Sequence, residues 1–408
     1  MRKIALFLAA LALLTVSRAQ HVLPLQYDTL HADFEFILHG VADYGTSSIE
    51  RRLANKFFYG GEITDEIKDA SFDRHGGINR IGWDMQSELE FRNFKSQKIG
   101  KGRYGWLLRG AIQSYGSMVY SKDLFGLVFY GNQNYLGETI EFSGTRGSAW
   151  SFQKLGFGLI DKKSKSNLSL NAYSIGAFAN AAFSEGQLFQ SESGDSLAFR
   201  YGGNVEYFRA DRMARGWGLG IDADIRIPVE LNEDKTIYIQ FLVRNLGVGF
   251  LPNVTRYETD SSLSFQGLTF EQLVGSSNFV GDDFSWLDTL NVRKSVGNQF
   301  RMLPAFLQVG KMVDELNPSK VQAFYGARIY PSVTLIPHVY AGVHYSPVEW
   351  YSGGLHLVYG GYGGVRIGWY SALNFAKFNL GVATENVVGT FSGKGMGESI
   401  ILRLRYKI

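Results

Sequence analysis

Three histidines are the first residues with the potential for chemistry. His338 and His344 fall on one face of a single apolar-rich run, and His356 lies in the next run. A shared metal would need its ligands within a few ångströms of one another. Six residues along an extended strand span ~20 Å, so His338 and His344 cannot hold one ion between them. The plainer reading is of histidines solvated or hydrogen-bonded to neighbours such as Tyr340. No nucleophile elbow, phosphate-binding loop, zinc-protease or dinucleotide fingerprint occurs. With no cysteine in the chain, thiol nucleophiles, thiolate metal sites and disulfides are excluded as well. The expectation is of no enzyme, no metal and no cofactor; a hydrolase embedded in a barrel, built on the three histidines, ranks third among the alternatives.

The charged residues say more as a set. Asp84, Glu88, Glu90 and Arg92 alternate with Ile81, Trp83, Met85, Leu89 and Phe91, while Asp222, Asp224 and Arg226 alternate with Leu219, Ile221, Ala223, Ile225 and Ile227. Arg244 closes a third such run, Arg328 and Arg366 lie in later ones, and Arg403 and Arg405 alternate with Leu402, Leu404 and Tyr406 at the end of the chain. A period of two gives a strand two unlike faces. Slipping one residue would place several charges in lipid, at about 2–4 kcal/mol for each Arg or Lys at the bilayer midplane, so register is well specified and the charged face must line water. The acids come from early strands and Arg328, Arg366, Arg403 and Arg405 from late ones. Opposite walls of a lumen would then carry opposite signs. Two readings follow: a field across a pore that orients a polar solute, or a salt-bridge network that fills the barrel or grips a helical segment, the latter favoured because buried charges find partners.

The elements that must position these residues are strands. Seventeen candidate runs can be marked between 34 and 408, including 124–131 and 137–143 as the weakest, 197–209 and 217–227 as separate runs, and a hairpin of 217–227 with 237–243 turning through 228–235. Single-chain bacterial barrels have even strand numbers, so the fold class is all-β, a closed antiparallel transmembrane β-barrel of 14 or 16 strands. Two segments depart from the pattern. Residues 44–77 contain two short helical patterns, 47–58 and 64–70, a plug or a loop insertion. Residues 250–299 read as a long loop insertion, which parity counting places on the same side as the short turns near 95–102 and 161–167.

The ends and the composition agree. Arg2 and Lys3, an apolar stretch over 4–16, and Ser17-Arg18-Ala19 read as a signal peptide over 1–19, leaving a barrel over 20–408. The stretch is shorter than the ~20 residues a spanning helix needs. Glycine at 48 positions and aromatic residues at 14% are expected of a barrel with aromatic girdles. A net charge of +3 gives no nucleic-acid footprint. The implied location is the outer membrane of a Gram-negative bacterium, reached by Sec export, with outer-membrane lipid as one partner and the barrel-assembly machinery, acting on the C-terminal strand, as another.

Several stretches carry a resemblance: Asn55-Lys56-Phe57-Phe58 with Gly61 and Ile63-Thr64 ahead of Gly77-Ile78-Asn79-Arg80; Asp123-Leu124-Phe125 before Gly131-Asn132 and Gly137; Leu155-Gly156-Phe157-Gly158; Gly216 to Asp222; and Arg244-Asn245-Leu246-Gly247. In these the chain resembles a family of uncharacterised outer-membrane barrels of the Bacteroidota, itself similar to FadL-type channels for hydrophobic compounds and to barrel subunits of the type IX secretion machinery. The resemblance implies a channel or transporter for a small, hydrophobic solute. The alternative is a barrel scaffold for a surface or secretion-associated complex.

Overall fold

Alternation of apolar and polar residues, repeated from 34 onwards, gives strands that each need a lipid side and an inner side, and the computed structural model closes them into one ring. It describes residues 26–27, 32–232, 235–265, 292–314, 319–331 and 336–408; the signal-peptide reading over 1–19 lies outside them. The strands, in chain order, are β1 (Phe34–Thr46), β2 (Ile78–Asn93), β3 (Tyr104–Ser121), β4 (Thr139–Glu141 and Arg146–Asp161), β5 (Asn167–Gln190), β6 (Leu197–Arg209 and Gly216–Asn232) and β7 (Lys235–Phe265). They continue with β8 (Arg293–Met302 and Phe306–Lys311), β9 (Val321–Ile329), β10 (Ile336–Val348), β11 (Tyr351–Gly361), β12 (Gly363–Asn374), β13 (Phe378–Thr384) and β14 (Gly397–Lys407).

Fourteen strands close the barrel, each antiparallel to its neighbours, and β14 pairs with β1 from Lys407↔Glu35 to Gly397↔Gly45. Three of the seventeen sequence runs disappear for physical reasons. Residues 124–130 belong to a helix that ends at Gly131, and Ser121 caps its start by accepting the Leu124 N–H at Oγ, 3.0 Å away. The runs 137–143 and 150–160 are two pieces of β4, both antiparallel to β5. Likewise 197–209 and 217–227 are two pieces of β6, one pairing with Ala177–Gln190 of β5 and the other with Asn167–Ile175. Nor does β6 turn at Pro228, which stands in register with Tyr238.

The 250–299 insertion is also smaller than its sequence suggests. β7 continues to Phe265 and β8 starts at Arg293. Pro252 and Asn253 face Asn298 as a bulge, with Asn253 at φ 53, and that bulge hides the period in the sequence. With fourteen strands the connection after β7 lies on the side away from the chain's two ends, opposite the short turns at 94–103 and 162–166. Parity counting places it with those turns because one helix read as a strand and two strands split in half add three runs ahead of it, an odd number that reverses the side.

β5 to β8 rise above the rest of the ring. Their ladders break at one height: Gly176 bulges from β5, 210–215 interrupts β6, Pro252–Asn253 bulges from β7, and Asn298 answers in β8. Ala210 N–H donates to the Gly176 carbonyl at 2.8 Å, and Asn253 N–H to Asn298 Oδ1 at 3.1 Å. The outer wall below is apolar, with Leu89, Ile112, Leu155, Leu170, Leu219, Leu355, Leu357 and Leu402 exposed. Aromatic rings band it at two levels: Phe36, Phe91, Trp106 and Phe157 toward the chain's ends, with centroids 4.8, 5.3 and 6.2 Å apart in turn, and Trp217, Phe250 and Phe300 toward the other rim. Rings at both edges of an apolar band are the arrangement expected at two membrane–water boundaries. Among the described residues no helix is long and apolar enough to cross a membrane.

Helices α1 (Arg51–Tyr59) and α2 (Asp65–Phe72) join β1 to β2, α3 (Lys122–Tyr130) joins β3 to β4, and α4 (Val387–Phe391) joins β13 to β14. α1 to α3 do not enter the barrel. They bury Tyr44, Ile81, Trp83 and Tyr120, all outward-facing by register, beneath Leu53, Ala54, Phe72 and Phe125. The start of α1 is fixed to the β13–β14 connection through Arg51 N–H to the Gly395 carbonyl at 2.7 Å, and Arg51 reaches Glu398 at 3.0 Å.

Candidate functional site

The inner wall separates into two halves. On β2 to β7, Glu88, Glu90 and Asp222 surround Arg109, whose side chain is fully buried: Nε donates to Glu90 at 2.6 Å, Nη1 to Asp222 at 2.9 Å and to Ser169 at 3.3 Å, and Glu88 lies 3.3 Å away. Lys154 donates to Asp222 at 2.9 Å and to Asn245 at 3.2 Å, and Arg244 comes within 3.6 Å of Asp222. Three acids thus meet three bases, so this lattice is balanced within itself. Around it, Arg92 joins Glu90 and Glu35, Arg226 holds Asp224 at 2.9 Å, and Gln113 donates to Asp84 at 3.1 Å.

The four late arginines stand apart from that lattice. Arg328 donates to Gln308 at 2.9 Å and lies over the Phe306 ring. Arg366 donates to the Gly360 carbonyl at 3.1 Å. Arg403 and Arg405 face inward, in register with His39 and Ile37. The acids of β2 and β6 therefore find their bases within the β2 to β7 half of the wall, Arg109 of β3 and Lys154 of β4 reaching past intervening strands to Asp222, rather than among the late arginines, and they do not grip the helical segment. Arg109 and Lys154 were not singled out in the sequence, although Arg109 and Gln113 alternate with Leu108 and Ile112 as clearly as the acids of β2 do.

The histidines do not converge. His344 meets the Tyr370 hydroxyl and, at 2.7 Å, Ser346 Oγ, while His338 lies 3.6 Å from Glu385. The His356 ring lies against Gly368, with its Cβ beside Gly342 and Phe324 near the ring. Among the described residues no group of three or more side chains could hold a metal.

A recess sits outside this wall. Between α1 and the outer faces of β1 and β2 lies a cavity of about 400 Å³, lined by Tyr44, Ile49, Ala54, Phe57, Phe58, Ile81, Trp83 and Met85, with Gly82 at its floor. No charged side chain lines it. The barrel wall is thin at this point. On the inner side the Tyr362 ring lies on Gly45 and Gly82, and a Cβ at Gly82 would overlap it; on the outer side the Trp83 ring lies on Gly116 in the same way. The Tyr362 hydroxyl donates to the Trp83 carbonyl at 3.3 Å. Between the apolar recess and the lumen stand only the unbroken β1–β2 and β2–β3 ladders, thinned by glycines and covered on the inner side by Tyr362.

Above it, outside the spanning strands, His75 tethers the helices. Its Nδ1 meets the Ser71 carbonyl at 2.7 Å, its Nε2 the Tyr120 hydroxyl at 3.0 Å, and its ring packs on Phe125. Burial and, less strongly, the Lys122 charge hold its pKa below the usual 6.5, against the opposing Ser71 contact.

The fold and this wall define a closed, antiparallel, single-chain barrel of outer-membrane type. No family model and no curated protein matches the chain. Among solved structures it is similar to a mutant of the monoaromatic hydrocarbon channel TodX, at 9% identity over 92% of this chain and 90% of that one, TM-score 0.44. It is also similar to the P. putida toluene transporter TodX, at 9% identity over 92% and 89%, TM-score 0.39. The translocator domain of the autotransporter NalP from Neisseria meningitidis shares 10% identity over 94% and 91%, TM-score 0.32.

Proposed function

We propose that the chain is an outer-membrane channel for a small hydrophobic solute. The observation that carries this is the uncharged recess against the glycine seam. A cavity of about 400 Å³ is in the range of small-molecule sites, and apolar lining selects solutes by the surface they remove from water. The solute enters between Phe57, Phe58 and Trp83, and reaches the lumen when β1 and β2 part at Gly45 and Gly82 and Tyr362, which covers that point, swings away. Sec export, folding by the barrel-assembly machinery from β14, a Bacteroidota source and the absence of catalysis belong to the same reading.

Purified protein in liposomes tests it. Toluene, as probe, should change Trp83 emission and cross the bilayer faster than through protein-free liposomes when a degrading enzyme is trapped inside. Ala54→Trp, which fills the recess, should abolish both effects, and Tyr362→Ala should speed the flux. No change in emission and no added flux would overturn the proposal. A scaffold is the second reading, favoured by the balanced ion lattice that occupies one half of the lumen and by the raised sheet of β5 to β8. Purification from native membranes in mild detergent should then bring down a stoichiometric partner.

A further inference from the structure

We propose that the end of α1, together with α3, is a lipid-binding surface inserted at the acyl–headgroup boundary of the outer leaflet, so that the recess opens to hydrocarbon rather than to water. Phe57, Phe58, Tyr59 and Val128 are 63%, 49%, 78% and 67% exposed, and the Phe57 ring lies 6.1 Å from Phe129. Together they form one apolar patch on two helices. Exposed patches of this kind mark an interaction site.

Its occupant is set by where it lies. Phe57 and Phe58 share the recess with Ile81, Trp83 and Met85, outward residues of β2 that lead straight down to Leu89 and Phe91 in the lipid-facing band. The patch is therefore continuous with the surface that lipid already covers. Charge follows the same axis. At the start of α1, Arg52 is held by Glu50 and Glu66, and Arg51 by Glu398. From Phe57 to Gly61 there is no charge at all.

The end of the helix suits a boundary rather than the hydrocarbon centre. Gly60 and Gly61, at φ 78 and 107, turn the chain within two residues, and Gly60 N–H donates to the Lys56 carbonyl at 3.0 Å. The Lys56 ammonium folds back beside Gly61, as a lysine does when its stem lies in lipid and its charge seeks water. The backbone past Gly61 still needs water, which places this end in the interfacial layer.

The cysteine-free chain allows single labels. Tyr59→Cys and Val128→Cys, each carrying an environment-sensitive fluorophore, are compared in liposomes with Leu89→Cys on the lipid wall and Lys163→Cys in an aqueous turn. Brominated acyl chains should quench the Tyr59→Cys label to within about twofold of the Leu89→Cys label, and iodide should spare it. Adding Phe57→Glu should restore access to iodide. If iodide quenches Tyr59→Cys and Val128→Cys as fully as Lys163→Cys, and bromine does not quench them, the patch lies in water and the inference fails. Heat-modifiable gel mobility confirms that each variant is folded. The readout needs no solute, so it is independent of the transport proposal.

Discussion

Replacing Arg109 by methionine is the sharpest test of the inner wall. The guanidinium is fully buried, donates to Glu90, Asp222 and Ser169, and lies 3.3 Å from Glu88. Its removal leaves three buried acids facing two bases, Lys154 and Arg244. Breaking a buried ion pair from one side costs about 3–5 kcal/mol, or roughly two to three and a half decades in the folding equilibrium. Lys154 already reaches both Asp222 and Glu88, so the lower end of that range is expected. The assay is urea unfolding in lipid vesicles, followed by tryptophan emission. Arg109→Lys keeps the charge but loses the planar fork and should fall between. Adding Glu90→Gln to Arg109→Met removes the excess negative charge and should recover part of the loss. A cost below about 1 kcal/mol for Arg109→Met would refute the reasoning, since it would mean that water already solvates these acids.

Two further outcomes follow from the wall beneath the recess and from the helices above it. Gly82→Val would drive a side chain into the Tyr362 ring and bring its Cβ to 2.7 Å from the Gly116 carbonyl, and overpacking of this kind costs about 1–3 kcal/mol; the unfolding midpoint should drop, and Tyr362→Ala in the same chain should recover part of the loss. For His75, a folded pKa below 6.5 means that the tether contributes fully above pH 6.5 and weakens as pH falls through the lower folded value. Hydrogen exchange in α2, corrected for intrinsic rates, should therefore quicken from about pH 7.5 to about pH 5 while β2 stays protected. Unchanged protection of α2 would show that Lys122, Tyr120 and Phe125 do not disfavour the charged ring.

The barrel was legible wherever charge enforced the two-residue period. Arg403 and Arg405 fix β14, and Asp84, Glu88 and Glu90 fix β2, because a slip would place them in lipid. It was illegible where apolar residues stood on every side. Leu124, Phe125, Leu127 and Val128 read as strand although they form α3, since a buried helix and a buried strand have the same composition over nine residues. Breaks hid β6, whose halves are separated by 210–215 without leaving the ladder. The lumen-facing acids were visible as a cluster of charges, whereas Arg109 is the single charge of 104–121 and Lys154 that of 147–160, so the alternation around Arg109 was present without a second charge to mark it. The recess could not be read at all. Ile81, Trp83 and Met85 look like lipid contacts in sequence, and only the path of α1 across β1 and β2 shows what covers them.

The interruptions at Gly176, 210–215, Pro252–Asn253 and Asn298 act together as a crease. A sheet resists bending through the unbroken run of its hydrogen bonds, and here four neighbouring strands loosen that run along one line just above the upper aromatic band. A load applied to the raised part of β5 to β8 is expected to bend the sheet first along that line. The charged lattice around Arg109 lies below that line, on the part of the sheet where the β2–β3 and β3–β4 ladders are unbroken, and would then keep its geometry.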